Sequence, residues 1–147
     1  MNEIKLFTIG FTKKTAEAFF TSLGRAGIKR VIDIRLNNVS QLAGFSKRDD
    51  LKFFLREICH ADYYHLPECA PTKEVLDKYK KNHGDWGEYE ACFLPIMAAR
   101  RIETLLTADL LDHGCLLCSE PTPERCHRRL VAQYMESRMP ALTIRHL

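Results

Sequence analysis

Three stretches of this chain are predominantly apolar from end to end: KLFTIGF at Lys5–Phe11, RVIDIR at Arg30–Arg35 and GCLLCSE at Gly114–Glu120. A strand with one wet face alternates apolar and polar residues, whereas a short, nearly continuous apolar run fits a strand covered on both sides. Such strands need helices on both faces of their sheet, and the intervening segments supply them. After the first run, Ala16, Phe19, Phe20 and Leu23 share one helical face, with Thr15 as N-cap and Gly27 as the stop. Strand, helix and second strand make a βαβ unit, which predicts a parallel pair joined by a right-handed crossover.

The later elements follow the same alternation. Arg35–Ser46 is a polar loop ending at Ser46, an expected N-cap for a helix whose apolar stripe is Leu51, Phe54, Leu55 and Ile58. ADYYHLPE reads as a short strand closed by Pro67, and Thr72 caps a lysine-rich, solvated helix ending at Gly84. Trp86–His113 reads as mostly helical, with Pro95 expected to kink or split it, because proline removes a backbone donor and crowds the preceding turn. Beyond the GCLLCSE strand, Thr122, Pro123 and Glu124 give the N-cap, first-turn proline and dipole-matched acid of a helix start. ALTIRHL is the fifth strand. The expected fold is α/β, a three-layer sandwich with a mostly parallel sheet of about five strands flanked by helices. It forms a single domain over 1–147 with a helical excursion at about 72–112.

Composition narrows the function classes. A net charge of +3 on 147 residues permits an acidic partner without demanding one. No run approaches the roughly 18 apolar residues of a membrane helix, so no membrane role is expected and the expected address is cytoplasmic. There the six cysteines, Cys59, Cys69, Cys92, Cys115, Cys118 and Cys126, are expected as thiols rather than a disulfide framework.

In open α/β sheets, ligands bind beyond the carboxyl ends of the strands, where helix N-termini offer free N–H groups. Three segments should meet there: the turn Gly10–Thr12, the Asp33–Arg35 strand end with its loop through Asn37 and Ser40, and Cys118–Glu120 with the next helix start. Arg35 has the planar fork that grips an anion, or else forms a structural ion pair. Arg125, Arg128 and Arg129 crowd a helix N-terminus, which opposes the macrodipole unless an anion lies between them. Glu120 and His127 are the candidate catalytic acid–base pair, since a histidine beside a carboxylate titrates near neutral pH.

Cys126, at a helix start among arginines, suits a thiolate, while Cys115 and Cys118 read as core. Cys118, Cys126 and His127 could supply three metal ligands, with Glu120, His65 or Cys69 as a fourth. However, adjacent helical residues diverge by about 100° and no CxxC pair is present, so no metal is expected. Trp86, Tyr89 and Phe93 read as an apolar helix face, and Lys78, Lys80 and Lys81 as a solvated one.

The set Thr8-Ile9-Gly10, Asp33-Ile34-Arg35, Tyr64-His65-Leu66-Pro67-Glu68 and Leu117-Cys118-Ser119-Glu120, followed by Cys126-His127-Arg128, resembles the family called domain of unknown function 488. The resemblance implies the α/β fold and a site at these positions, adding His65 and Glu68 to the candidates, and implies no reaction. Members often read T-I-G-H-S, where this chain has Phe11 and Thr12. Many carry a proline after D-x-R, where it has Leu36-Asn37-Asn38. The D-x-R strand is also similar to rhodanese-like domains, whose thiolate-cradling loop is missing here.

Two functional expectations result. In one, a phosphate-bearing ligand, whether small molecule, nucleotide or nucleic acid, binds at the sheet edge and is acted on by acid–base chemistry. Gly10, Thr12, Asp33, Arg35, Asn37, Ser40, His65, Glu68, Cys118, Cys126 and Arg128 would form the ligand site, with no organic cofactor. In the other, the chain is a non-catalytic interaction module whose Cys–Glu–Cys–His–Arg junction is structural, with function on the excursion Thr72–Arg101. Enzymatic activity and oligomeric state are left open by the sequence.

Overall fold

A computed structural model describes residues 3–39, 44–81, 83–120 and 122–147. Five strands form one sheet: β1 (Ile4–Gly10), β2 (Arg30–Asp33), β3 (Asp62–His65), β4 (Gly114–Cys118) and β5 (Leu142–His146). Their order is β3-β2-β4-β1-β5, and every pairing is parallel. β1 and β2 are therefore parallel but not partners. β4, which arrives some 80 residues later, is inserted between them.

The helices are α1 (Ala16–Arg25), α2 (Arg48–Phe54), α3 (Lys73–Lys81), α4 (Trp86–Arg100), α5 (Ala108–Leu111) and α6 (His127–Glu136). Alternate strand residues point to opposite faces, which divides the core in two. Phe7, Val31, Cys115 and Leu117 meet Phe19, Phe20 and Leu23 of α1 and Leu51 of α2. Leu6, Ile32 and Leu116 meet Phe93 and Met97 of α4, Leu111 of α5 and Leu130, Val131 and Met135 of α6. The result is the expected three-layer sandwich.

The chain winds β1→β2→β3 toward one edge, then β3→β4→β5 toward the other. Crossovers of one hand require the covering helices to change face when the direction reverses, and they do. β4 leads to α6 on one face, while its neighbours β1 and β2 lead to α1 and α2 on the other. That divergence opens a crevice at the carboxyl end of β4.

Local signals held in several places. Thr15 Oγ1 accepts from Ala18 N at 3.0 Å, Thr72 Oγ1 accepts from Val75 N at 3.2 Å, and Gly27 takes a φ of 69° behind α1. Ala16, expected on the buried face, is exposed. Ser46 does not cap α2. It is buried in a 3-10 turn (Gly44–Ser46), and Lys47 stands at the cap without a side-chain bond. The end of this helix widens into a π-turn (Leu55–Cys59), which changes the phase of the stripe, so Leu51 and Leu55 are buried while Ile58 is 55% exposed.

Pro95 does not split α4, which runs continuously over 15 residues. Pro95 and Ala91, whose carbonyl loses its partner, both lie on the solvent side, where water can satisfy the freed oxygen. The expected helix start at Thr122–Glu124 is also absent: α6 begins at His127, with Cys126 in the N-cap position. Arg129 donates to the carbonyls of Pro123 and Glu124, at 3.2 and 2.8 Å, and so holds this stretch outside the helix.

Candidate functional site

Beyond the carboxyl ends of β2 and β4 lies a cleft of about 360 Å³. Arg35, Leu36 and Asn37 after β2 form one side, and Cys118, Ser119, Glu120, Arg125, Cys126 and His127 after β4 form the floor. Pro71, with Leu76, Tyr79 and Lys80 of α3 and Trp86 and Tyr89 of α4, closes the other side. The sheet edge and the helical excursion thus build it jointly. An apolar groove of about 470 Å³ between α1 and the π-turn, lined by Phe20, Phe54 and Ile58, offers little chemistry beyond Glu17 and Thr21.

The floor centres on His127. Its Nε2–H donates to the Ile34 carbonyl at 2.6 Å, which turns Nδ1 toward Cys118 Sγ at 3.2 Å. Phe93 packs edge-on against the ring, with centroids 5.9 Å apart. Cys118 and Cys126 are buried, and their sulfurs lie within 4.8 Å of each other and of His127. The expected divergence of Cys126 and His127 does not arise, because Cys126 is extended at φ −135°, ψ 137° rather than helical. Nor is Cys118 simply core: as the last residue of β4, it faces the cleft as well as the interior.

Burial alone would raise the Cys118 thiol, but hydrogen bonds from Cys126 and from the Ser119 and Glu120 backbone, with Arg128 nearby, hold it below the usual thiol range. Burial and the adjacent Cys118 push the Cys126 thiol up.

Arg35, 2% exposed, forms a bidentate pair with Asp33, Nε to Oδ1 and Nη2 to Oδ2, both at 2.8 Å. Phe11 lies under the guanidinium at 5.4 Å, and Tyr63 donates to Asp33 Oδ2. Arg35 Nη1 is buried with no partner among the described residues, as is Trp86 Nε1. Both side chains line the cleft.

Other candidates serve the frame. Arg128 is fully buried. Its Nε donates to Thr8 Oγ1 at 3.2 Å and its Nη1 to the backbone carbonyl of Glu120 at 2.6 Å, and it does not line the cleft. Thr8 Oγ1 is in turn hydrogen-bonded to His146 Nδ1 at 2.6 Å. Glu120, which is exposed, and His127 both line the cleft, with no hydrogen bond between them among those of the described residues.

The Gly10–Thr12 turn is closed against the β4 loop. Thr12 N donates to the Ser119 carbonyl at 3.0 Å, and neither Gly10 nor Thr12 lines the cleft. His65 Nε2 donates to the Arg35 carbonyl at 2.8 Å, and Glu68 is exposed away from the cleft. Ser40 lies outside the described residues.

Sequence reasoning placed Arg35, Asn37, Glu120, Cys118, Cys126 and His127 correctly at one edge but missed the far wall. Tyr79 and Lys80 of α3 and Trp86 of α4 carry only the pattern of amphipathic helices, and nothing local says that these helices overhang the strand ends.

Among the described residues, no helix is long and apolar enough to cross a membrane. No curated protein and no solved structure matches the chain. Comparison with protein families matches residues 15–135 to the family described as "Domain of unknown function DUF488". The match takes in every cleft-lining residue and stops short of β1 and β5. The chain belongs to the DUF488 domain family.

Proposed function

We propose that the chain binds a phosphate-bearing small molecule in the cleft between the β2 and β4 ends and the α3–α4 wall. One observation carries the reading: among the described residues, the cleft presents Arg35, Lys80 and Arg125 against the single carboxylate of Glu120, and the Asp33 behind Arg35 offsets only one of those cations. Arg35 is held rigid by Asp33 and Phe11 and keeps one N–H without a partner among the described residues. A preoriented guanidinium with a spare donor suits a phosphate oxygen. A volume of about 360 Å³ falls in the range of small-ligand pockets, and the Tyr79–Trp86–Tyr89 wall suits the apolar part of such a ligand. Lys80 and Arg125 are exposed at the rim, and Asn37 stands beside Arg35.

Trp86 is the sole tryptophan, so a ligand entering the cleft reports on itself through its emission. Titration with phosphate, pyrophosphate and nucleoside mono-, di- and triphosphates should change that emission for at least one of them. At a hundredfold excess over Kd, binding stabilises by about 2.7 kcal/mol, or about 5–10 °C in Tm for a chain of this size. Lys80→Ala combined with Arg125→Ala, both at exposed positions, should abolish both signals with the fold intact. The absence of both an emission change and a Tm shift across the panel would refute the reading.

A further inference from the structure

We propose that Cys118, Cys126 and His127 form a binding site for a thiophilic divalent ion, zinc, with its fourth coordination position open to the cleft. Their ligand atoms, two sulfurs and one imidazole nitrogen, lie within 4.8 Å of one another, and all three residues are buried. Around a tetrahedral zinc with Zn–S of about 2.3 Å and Zn–N of about 2.05 Å, ligand atoms stand about 3.6 Å (S to N) and about 3.8 Å (S to S) apart. The Cys118–His127 edge is already 3.2 Å, so an ion needs only small side-chain adjustments.

Three further features belong to such a site. The Nε2–H of His127 is committed to the Ile34 carbonyl at 2.6 Å, the outer bond that orients a metal-binding imidazole and leaves Nδ1 as the donor. The extended backbone of Cys126 lets two sequence neighbours converge on one point, which a continuous helix would forbid. Arg128, buried and in no ion pair among those of the described residues, places Nη1 4.0 Å from Cys126 Sγ, where its charge favours a thiolate.

Ligation converts both thiols to thiolates and releases two protons to solvent, so two negative charges offset the dication. Three protein ligands with one open position is the arrangement of a zinc that also holds a water or a substrate oxygen. All three ligand residues line the cleft, so that position faces its contents.

The test uses the full chain, stripped with a chelator under reducing conditions and titrated with cobalt(II). The expected result is about one ion per chain, with thiolate-to-cobalt charge transfer in the near ultraviolet and intense tetrahedral bands in the visible, both displaced by zinc. Cys118→Ser and Cys126→Ser should each lose charge-transfer intensity and His127→Gln should alter the visible bands, while Cys59→Ser and Cys92→Ser keep both.

Should a ligand variant fail to fold, the wild-type protein still decides. Zinc should protect Cys118 and Cys126 from alkylation, as mapped by mass spectrometry, and a chelator should remove the protection. Several results overturn the proposal: no tetrahedral cobalt spectrum, no zinc-dependent protection, an unchanged spectrum in folded Cys118→Ser and Cys126→Ser, or a Cys118–Cys126 disulfide as the sole chemistry of the pair. The proposal does not rest on anion binding. The cobalt spectrum can stand while the phosphate panel fails, and the reverse.

Discussion

Gly10→Ala tests whether the turn after β1 binds ligand or packs the site. A Cβ built on Gly10 would fall 1.6 Å from the Glu120 carbonyl oxygen, 2.7 Å from its carbon and 2.4 Å from Arg128 Nη1. The two Glu120 atoms are backbone, so no rotamer change relieves the contact and the β4 loop must move off β1. Gly10 ends a parallel strand and is not among the positive-φ glycines, so alanine suits its backbone and the cost is one of space.

Overpacking costs about 1–3 kcal/mol. Displacing the Glu120 carbonyl also breaks its 2.6 Å bond from Arg128, a charge-assisted bond worth about 1.5–3 kcal/mol. The smaller unfolded-state entropy of alanine returns about 0.4–1 kcal/mol. The net expectation is a loss of about 1.5–5.5 kcal/mol, or about 3–22 °C in Tm for a chain of this size.

Urea denaturation at unchanged m-value measures the loss. Gly24→Ala serves as the opposite control: nothing lies within 4 Å of its Cβ, and it sits in α1. It should stabilise by about 0.5–1 kcal/mol. A Gly10→Ala protein of near wild-type stability would refute the packing argument. Were it to lose only phosphate affinity as well, Gly10–Thr12 would return as a ligand turn.

Two further outcomes follow from buried charge. Asp33→Ala leaves the Arg35 guanidinium, 2% exposed, without its carboxylate, and should cost about 3–5 kcal/mol in urea denaturation; a loss below about 1 kcal/mol would show that water reaches Arg35 freely. Burial, and then Arg128 and Arg129, hold the His146 imidazole below its ordinary value of 6.5. The unfolded chain therefore takes up that proton first, so stability is full above about pH 6.5 and is lost as pH falls through the depressed folded pKa. Melting curves between about pH 7 and 5 should slope accordingly, and His146→Gln should flatten them. An unchanged slope in the variant removes His146 from the account.

What the sequence made legible was set by the range of the forces involved. Thr15 at the start of α1, Gly27 behind it and Thr72 ahead of α3 act over a few residues, and each does what its residue type predicts. The start of α6 differs from the local signal because Thr122-Pro123-Glu124, a sound helix start, loses to side chains of α6 that reach back to the carbonyls before it. Arg129 holds the Pro123 and Glu124 carbonyls, and Arg128 holds that of Glu120. The insertion of β4 between β1 and β2 has no local correlate, because each strand is apolar on both faces and accepts any parallel neighbour.

The two segments on which the sequence placed its alternative readings, the strand ends and the helical excursion, form two walls of one cleft. The strand ends supply fixed, desolvated groups. Arg35 is already neutralised by Asp33, and Arg128 is spent on Thr8 and the Glu120 carbonyl. The Asp33–Arg35 pair adds little long-range attraction, because a compensated charge has a short-ranged field, and Arg128 does not line the cleft. The uncompensated charge comes from Arg125 at the β4 loop and from Lys80, which only the excursion brings to the rim. In the proposed reading, recognition of a phosphate there would divide into two parts: capture by exposed, salt-screened cations at the mouth, and alignment by the buried Arg35. Neither wall does both, which is why neither segment alone reads as a complete site.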